Sequence, residues 1–241
     1  MDPLLSVIVV TKDDKQNLLA TLESIPTDPR IEIIVQDGES KFSVEEVLAA
    51  NSRRSQIKLQ IMKDTGIYHA MNLAVTRSQG DFICFLNCGD LFTPFAERGL
   101  LDVVLALEDK YKAIKFLANT QDNGVQIERA SPLYFFRRML NHQSIVYKRS
   151  VFEEHFYDEE FRIAADLKHF LESKLISKVA YVDVVLIEYL GNGIATTKKM
   201  INQNWKERAT VCKWRISAGQ KLIIFAAVVV RSILRLLGFY K

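Results

Sequence analysis

The chain has 241 residues, of which 49% are hydrophobic and 25% charged, a composition typical of a soluble globular protein that excludes extended disorder. The net charge of +3 is unevenly spread, because residues 198–241 carry ten basic residues and one acid, Glu207, whereas residues 1–197 carry 22 basic and 28 acidic residues. This acidic body argues against general binding of nucleic acid, and the basic C-terminal segment predicts attraction to an anionic surface such as a membrane.

The first half of the chain alternates strand-like and helix-like segments. The predicted strands are short, apolar and rich in β-branched residues, and they cover Ser6–Thr11, Ile31–Asp37, Lys58–Lys63 and Asp81–Asn87. The predicted helices between them cover 15–24, Ser43–Asn51 and Ile67–Arg77. This alternation predicts right-handed βαβ units, and therefore an α/β fold with a mostly parallel central sheet and helices on both faces.

Beyond residue 90 the alternation is less regular. The predicted helices are Pro94–Asp109, Pro132–Leu140 and Asp166–Ser173, the predicted strands are Ala113–Thr120, Gln143–Tyr147 and Val179–Leu190, and a turn is expected at Gln121–Gly124. The first part reads as a nucleotide-binding half, about 1–92, and the second as a mixed half, 93–205, that could hold another substrate. We expect the globular domain to end at residue 205.

Residues 206–241 are predicted to form a basic amphipathic tail. The apolar run Leu222–Val230 is too short for a membrane span, which needs about 20 residues. At about 100° per residue, one arc of a helix collects the polar and basic residues Lys213, Ser217, Gln220, Lys221, Arg231 and Arg235. This pattern favours a helix lying in the membrane interface, and packing on the domain is the alternative.

Two further features bear on the cellular compartment. The N-terminus MDPLLSVIVV lacks the basic start and the cleavage site of a signal peptide. Cys84, Cys88 and Cys212 are odd in number and lack the partners of a zinc site, so we expect free thiols in a reducing compartment. The sequence therefore predicts a cytoplasmic protein, peripheral at the inner face of the cell membrane.

Polar residues follow the first four predicted strands, at the edge where open parallel sheets bind ligands. They are Thr11, Asp37, Asp64 and the segment Asn87–Asp90. One Asp after a strand commonly caps the next helix, but three acids in register suit a divalent cation or hydrogen bonds to a nucleotide. The first βα turn, TKDDKQN, contains no glycine, and no GxxxxGK[ST] motif occurs, so a bound diphosphate would need a metal ion near Asp90.

An ordered set of motifs runs through the chain: SVIVVTKDD, VQDGES, DTGIYHAMN, GDFICFLNCGD, NHQSIVYKR, FRIAADLKHF and GNGIATTKKM. In this order and spacing the chain resembles the inverting family 2 glycosyltransferases of the GT-A fold. More narrowly, it is similar to the bacterial surface-polysaccharide subgroup that includes the colanic acid glycosyltransferases. The resemblance covers nearly all of residues 4–205. It departs from the family pattern where His69 replaces a frequent Asp and where the DxD-like loop keeps one acid, Asp90.

The resemblance implies roles for the matching residues. Those implied to bind the donor, with a UDP-sugar favoured, are Thr11, Asp37, Asp64, Asn72 and Asn87. Asp90 would bind Mn²⁺ or Mg²⁺, and Asp166 would be the catalytic base unless it only caps a helix. His142 and Gln143 would lie at the mouth of the site, near the acceptor or the diphosphate, although a lone histidine is often structural. Ile67 and Tyr68 are expected to pack in the core.

The implied reaction moves a sugar from a nucleotide diphosphate to an acceptor hydroxyl, of a saccharide or a lipid-linked saccharide, with inversion at the anomeric carbon. Three other functions stay open. The single acid of the DxD-like loop favours a nucleotide-sugar-binding scaffold without catalysis. A nucleotidyltransferase would normally have a basic, glycine-rich loop near the N-terminus, and TKDDKQN is not such a loop. A membrane-surface structural protein would leave the register of acids unexplained.

Overall fold

Nine strands form one sheet within residues 2–49, 51, 56–121, 123–189 and 198–215, the part of the chain that the computed structural model describes. The strands are β1 Leu5–Thr11, β2 Ile31–Asp37, β3 Ile57–Ile61, β4 Phe82–Phe85, β5 Leu91–Phe92, β6 Ala113–Thr120, β7 Gly124–Gln126, β8 Ile145–Lys148 and β9 Val179–Tyr189. The α-helices are α1 Lys15–Ser24, α2 Val44–Ala49, α3 Ile67–Val75, α4 Pro94–Leu107, α5 Pro132–Arg137, α6 Ser150–Glu154, α7 Ala165–Glu172 and α8 Lys198–Arg215.

The strand order is β3-β2-β1-β4-β8-β6-β9-β5, with β7 paired to β6. Strands β1 to β4 are mutually parallel, and Thr11 is the register partner of Asp37, which in turn pairs with Ile61. The carboxyl ends of these strands therefore lie at one edge. The second half is mixed, since β8 runs antiparallel to both β4 and β6 while β6 and β9 are parallel.

Helices cover both faces of the sheet, as the apolar strands predict. Alternate residues of β1 belong to different cores: Val7 and Val9 pack with α1, α2 and α4, whereas Ile8 and Val10 pack with α3, α7 and α8. Both sides of β1 are buried along its whole length. This burial explains why the strand reads as a continuous apolar run without polar alternation.

Helix α8 joins the second of these cores. Val211 and Cys212 are buried in the same cluster as the apolar residues of α3, and the predicted domain boundary at residues 205 and 206 falls inside this helix. The remainder of the predicted amphipathic tail, 216–241, lies outside the described residues. Within the described ranges, the structure contains no helix with both the length and the apolar character needed to cross a membrane.

Two predicted elements differ from the structure around residue 140. The helix expected over Pro132–Leu140 ends at Arg137, because Arg138 has an extended backbone. Gln143, expected in a strand, lies in a single 3-10 turn, His142–Ser144. The turn forms because the Asn141 side chain accepts a hydrogen bond from the Ser144 N–H at 3.2 Å, a local contact that competes with strand pairing.

The three cysteines are free thiols, as expected. Burial raises the pKa of Cys84 and that of Cys88 to about 12, so neither thiol ionises near neutral pH. They act as small core or near-core residues.

A buried carboxylate ties the amino ends of the parallel strands together. Glu32 on β2 accepts hydrogen bonds from Ser6 Oγ at 2.5 Å, from the Gly80 N–H at 3.0 Å and from the Gln79 N–H, and it pairs with Lys58 Nζ at 2.7 Å. Burial raises the pKa of Glu32, but these donors outweigh burial and the pKa lies below its ordinary value. The ionised carboxylate therefore stabilises the fold.

Replacing this carboxylate by an amide, Glu32→Gln, is expected to lower the free energy of unfolding at pH 7 by about 1.5–3 kcal/mol, because one acceptor oxygen and the charge are lost. Since the folded-state pKa is depressed, the stabilisation is present above the unfolded pKa and disappears as the pH falls through the folded pKa. Urea unfolding of wild type and variant from pH 7 down to about pH 3 measures this difference.

The control is Glu23→Gln on the exposed side of α1, which is expected to change stability by less than about 0.5 kcal/mol. Equal stabilities of Glu32→Gln and wild type at pH 7 would contradict the interpretation.

Candidate functional site

The carboxyl ends of the parallel strands bring together Thr11, Asp37 and Asp64. Thr11 and Asp37 are buried register partners, and Asp64 follows β3 in the next loop. The Asp64 carboxylate lies against the backbone of Gly38, where a Cβ atom would come within 2.3 Å of Asp64 Oδ2. A side chain at position 38 would therefore displace the Asp64 carboxylate from its present position.

The orientation of the Asp37 carboxylate is fixed by Ser40. The Ser40 hydroxyl donates to Asp37 Oδ1 at 2.5 Å, and the Ser40 N–H lies 3.1 and 3.3 Å from the two carboxylate oxygens. The Asp13 N–H donates in turn to Ser40 Oγ at 2.8 Å. This chain of hydrogen bonds joins the β1–α1 loop to the β2–α2 loop.

The loop after β4 is hydrogen-bonded to helix α1. Gly89 adopts φ +102°, which favours glycine, and its N–H donates to Thr21 Oγ1 at 2.9 Å. Thr21 Oγ1 donates to the carbonyl oxygen of Asp90 at 3.1 Å, and the Asp90 side chain is only 5% exposed. One carboxylate oxygen of Asp90, Oδ2, accepts a hydrogen bond from Gln143 Nε2 at 3.0 Å. Two residues predicted for different halves of the site are thus in direct contact.

The loop Asn87–Asp90 offers some, but not all, of the oxygen ligands that a hard divalent cation needs. Asn87 Oδ1 is buried and has no hydrogen-bond partner among the described residues, and the Asp90 carboxylate follows three positions later. Carboxylate and amide oxygens are ligands that Mg²⁺ accepts, and this ion usually keeps waters and substrate oxygens as well. In the described part of the chain no three His, Cys, Asp or Glu side chains are grouped closely enough to hold a metal ion. A metal here would need oxygens from a ligand.

Asp166 lies in the first turn of α7 and is not its N-cap. The N-cap is Ala164, which has no side chain to accept a hydrogen bond. Asp166 is 6% exposed, and its Oδ1 accepts the Leu167 N–H at 2.8 Å. Its other oxygen, Oδ2, lies 3.4 Å from His142 Nδ1, an ion pair when the imidazole is protonated. The carboxylate is therefore held on both sides.

The turn His142–Ser144 joins the two predicted acids. Gln143 contacts Asp90, while the preceding residue, His142, faces Asp166. Two consecutive side chains of one turn thus reach two carboxylates that lie 76 positions apart in the sequence. His142 Nε2 is buried without a hydrogen-bond partner in the described chain. The structure brings together Asp90, His142, Gln143 and Asp166 as a connected group.

A buried ion pair holds this turn at both ends. Lys115, 1% exposed, lies 2.8 Å from Glu128 Oε2 and donates to Ser144 Oγ at 2.7 Å. Glu128 accepts the Asn141 N–H at 2.9 Å and the Tyr134 hydroxyl at 3.0 Å. Burial lowers the pKa of Lys115, and the neighbouring Glu128 opposes that shift. The pair is buried but has additional hydrogen bonds, as a buried ion pair requires.

Asn72 makes its contacts away from Asp37 and Asp64. Its Nδ2 donates to the Tyr157 carbonyl and to Glu159 Oε1, both at 2.9 Å, and its Oδ1 accepts the Tyr157 N–H at 3.0 Å. Both ends of the amide are therefore engaged by the loop that leads to Asp166. These contacts give Asn72 a structural role, and its predicted role in donor binding stays a prediction without support from them.

Tyr68 was expected only to pack, but its hydroxyl reaches the Asp166 region. It donates to the Ile163 carbonyl at 2.6 Å and lies 3.2 Å from Asp166 Oδ1. Burial, with the charges of Asp166 and Glu207, raises the pKa of Tyr68 well above its ordinary value, so the hydroxyl keeps its proton. The only sequence signal for this contact was the general rule that a buried tyrosine hydroxyl needs a hydrogen-bond partner. Glu207 is the second residue near Asp166 that the sequence analysis did not select. Its position as the one acid in a basic segment could have drawn attention to it.

The parallel half with acids at its strand ends, joined to a mixed half with a further acid, defines an α/β fold of the GT-A type. The chain belongs to glycosyl transferase family 2, whose model matches residues 6–156. It is 27% identical over 209 residues to an uncharacterized glycosyltransferase of Mycobacterium tuberculosis, an alignment that covers 82% of this chain and 79% of the relative. The family assignment confirms sugar transfer in general.

Solved structures share the fold at low sequence identity. S. aureus TarS 1–349 in complex with UDP-GlcNAc has a TM-score of 0.66 and 15% identity, covering 86% of this chain and 65% of that chain. Glucosyl-3-phosphoglycerate synthase from Mycobacterium tuberculosis, solved with Mn²⁺, UDP and glucosyl-3-phosphoglycerate, has a TM-score of 0.61 and 12% identity, covering 88% of this chain and 80% of that chain. They confirm the GT-A fold, whereas the narrower similarity to colanic acid enzymes stays a prediction.

Removing the cation of the buried pair, Lys115→Met, is expected to lower the free energy of unfolding by about 3–5 kcal/mol, because Glu128 is left buried without a counter-charge. The double variant Lys115→Met/Glu128→Gln is expected to recover part of that loss, since no uncompensated charge remains. Urea unfolding at pH 7 measures all three proteins.

The matched control is Lys112→Met, which breaks the more exposed Lys112–Glu154 pair three residues earlier and is expected to cost less than about 1 kcal/mol. If Lys115→Met costs no more than Lys112→Met, the buried pair does not hold the turn.

Proposed function

We propose that this chain is an inverting, metal-dependent glycosyltransferase that moves a sugar from a nucleotide diphosphate to an acceptor hydroxyl. The observation that carries the proposal is the turn His142–Ser144, where Gln143 contacts Asp90 and His142 faces Asp166. Such a connection suits a reaction in which one carboxylate holds a cation near the leaving group and the other takes the proton of the attacking hydroxyl. It supports one site with two differently used carboxylates.

The donor side would be formed by the edge that carries Thr11, Asp37 and Asp64. A nucleobase and a ribose offer N–H and O–H donors, which suit carboxylates held in fixed orientations. The UDP-GlcNAc bound to TarS and the UDP bound to the mycobacterial synthase support a nucleotide sugar as the donor, for which we propose a UDP-sugar. Asn87 would complete the donor side, next to the diphosphate.

Asp90 would hold Mn²⁺ or Mg²⁺, with Asn87 Oδ1 as a second protein oxygen. The buried, unpartnered Asn87 oxygen supports a cation beside Asp90, whose remaining ligands would be water and oxygens of the donor diphosphate. When bound, such a cation supplies positive charge that offsets the charge on the departing diphosphate. Gln143 would keep the Asp90 carboxylate oriented toward that position.

Asp166 would act as the general base. As the acceptor oxygen bonds to the anomeric carbon, the bond from that carbon to the diphosphate oxygen breaks and its electron pair leaves with the nucleoside diphosphate. The acceptor proton passes to Asp166, and attack opposite the leaving group inverts the anomeric centre. The start of α7 favours a negative charge at this position, and His142 would orient the acceptor hydroxyl.

A nucleotide-sugar-binding scaffold without turnover is the second candidate. It is favoured by the single acid in the loop Asn87–Asp90 and by the lack of a complete metal-ligand group in the described residues. The buried, oriented Asp166 carboxylate argues for catalysis. Turnover separates the two, because a scaffold binds the donor and does not consume it.

The first test is a screen of UDP-, GDP- and dTDP-sugars with Mn²⁺, read by thermal shift and by slow hydrolysis. Asp90→Asn is expected to weaken Mn²⁺-dependent UDP binding at least about tenfold, since the metal loses its one carboxylate. Asp166→Asn is expected to keep UDP binding and to lower turnover by about 10²–10⁴-fold, the usual contribution of a general base. Asp109→Asn, an exposed acid after α4, is the control and is expected to match wild type.

Each outcome of the screen decides one alternative. Consumption of a donor with an inverted anomeric centre, seen by proton NMR, supports the transferase. Binding without consumption, even with membrane extract as a source of acceptors, supports the scaffold, and pyrophosphate release would indicate a nucleotidyltransferase. If no donor binds, Asp37 and Asp64 do not have the donor-binding roles proposed for them.

We further propose a lipid-linked saccharide acceptor, in bacterial surface-polysaccharide synthesis, reached by a membrane-binding tail. The support is the excess of basic residues after residue 197 and their amphipathic spacing. Reversing three of these charges in the full chain, Lys221→Glu/Arg231→Glu/Arg235→Glu, is expected to weaken binding to anionic phospholipid vesicles at least about tenfold, because each basic residue near the surface contributes about 1 kcal/mol. Vesicle co-sedimentation at low and high salt measures the binding of wild type and of the triple variant.

The control reverses three exposed charges of the body, Lys63→Glu/Lys110→Glu/Lys178→Glu, and is expected to keep vesicle binding. Equal losses in both triple variants would show that the tail has no special role.

A further inference from the structure

Helix α8 supplies a carboxylate to the loop that carries Asp166. Glu207, 6% exposed, accepts the Arg162 N–H on Oε1 at 3.1 Å and the N–H groups of Ile163 and Ala164 on Oε2, both at 2.9 Å. Three consecutive backbone donors therefore converge on one side chain that lies more than 40 positions away in sequence. Hydrogen bonds to an ionised acceptor are about twice as strong as neutral ones.

The loop needs an acceptor from elsewhere because it contains none of its own at this point. Ala164 is the N-cap of α7, so the N–H groups of Arg162, Ile163 and Ala164 lie before the first turn and have no acceptor within the helix. Ile163 is 6% exposed and Ala164 fully buried, so water does not serve as the acceptor for their N–H groups. A buried, unpaired N–H group costs about 1–3 kcal/mol, and Glu207 removes this cost.

The same loop is held from the opposite side by helix α3. The Tyr68 hydroxyl donates to the Ile163 carbonyl at 2.6 Å, so one residue is bonded to α8 through its N–H and to α3 through its C=O. Gln203, one turn earlier on α8, donates from Nε2 to Glu207 Oε1 at 2.8 Å and orients the carboxylate. The backbone of Ile163, three residues before Asp166, is thereby fixed between two helices.

We propose that Glu207 is a positioning residue for Asp166. It fixes the segment 162–164, and so sets where α7 starts and which way Asp166 Oδ2 points toward His142. The inference rests on the proposed function, in which Asp166 is the general base. Glu207 itself acts only through the backbone, so it is expected to affect the rate of the chemical step and not the binding of the donor.

The main variant is Glu207→Gln. The amide keeps one acceptor oxygen, but its NH₂ group faces backbone donors and loses at least one of the three hydrogen bonds. With Asp166 displaced, kcat for the donor consumed in the screen is expected to fall by about 10–100-fold, because a shift of about 1 Å in a catalytic group costs up to 10²-fold. The KM for that donor and the Kd for UDP with Mn²⁺ are expected to stay within about twofold, since uniform binding is unchanged.

Two further variants keep the test informative if Glu207→Gln does not fold. Glu207→Asp keeps the charge on a shorter side chain and is expected to give an intermediate kcat. Gln203→Leu removes only the donor that orients Glu207 and is expected to lower kcat by a smaller factor with unchanged KM. The matched control is Cys212→Ala, which loosens the packing of the same helix without touching the loop and is expected to keep kcat even where it lowers Tm.

A second readout does not depend on turnover. Backbone amide hydrogen exchange in the full chain, with UDP and Mn²⁺ present, is expected to be at least tenfold faster at Arg162–Ala164 in Glu207→Gln, with β1 amides unchanged. Wild-type kcat in Glu207→Gln, or an equal loss of kcat in Cys212→Ala, would overturn the proposal. Full turnover in Asp166→Asn would instead refute the base assignment, so the two failures are distinguishable.

Discussion

The contact of one short turn with two buried carboxylates is the constraint on which the site depends. The turn His142–Ser144 reaches Asp90 and Asp166 together because strand β8, which follows it, runs antiparallel to β4. The beginning of β8 therefore lies at the carboxyl end of β4, where the loop carrying Asp90 starts. A parallel strand at this place would have put the turn at the opposite edge of the sheet. Reversal of one strand direction thus lets a single turn contact both Asp90 and Asp166.

Residues of the stretch DTGIYHAMN contact both the edge of the parallel strands and the loop that leads to Asp166. Asp64 lies against Gly38 on the edge formed by the parallel strands, while Tyr68 and Asn72, on the helix that follows, hold the loop leading to Asp166. Helix α8 holds the same loop from its other side through Glu207. Both helices are therefore linked by hydrogen bonds to the backbone that precedes Asp166.

Much of the fold could be predicted from the sequence, because its elements depend on local patterns. Buried parallel strands need continuous apolar runs, and β1, β2 and β6 appear close to where such runs predict them. The elements that the sequence did not predict are short and have weak local signals. Strands β5 and β7 have two and three residues, and helix α6 has five. The helix expected to reach Leu140 ends at Arg137, and beyond it the Asn141 N–H donates to Glu128, which precedes the helix in the chain. Such a contact has no signature in a window of neighbouring residues.

The sequence by itself determined the family, the order of the strands and helices in the parallel half, and the acids that follow its strands, since those acids occur at fixed positions relative to apolar runs. Only the tertiary structure decided that Gln143 contacts Asp90, that Tyr68 contacts Asp166, and that Glu207 accepts backbone N–H groups 43 to 45 positions away. The physical reason is that periodicity and turn chemistry act over a few residues, whereas a buried polar group takes whichever partner the packed chain brings within about 3 Å.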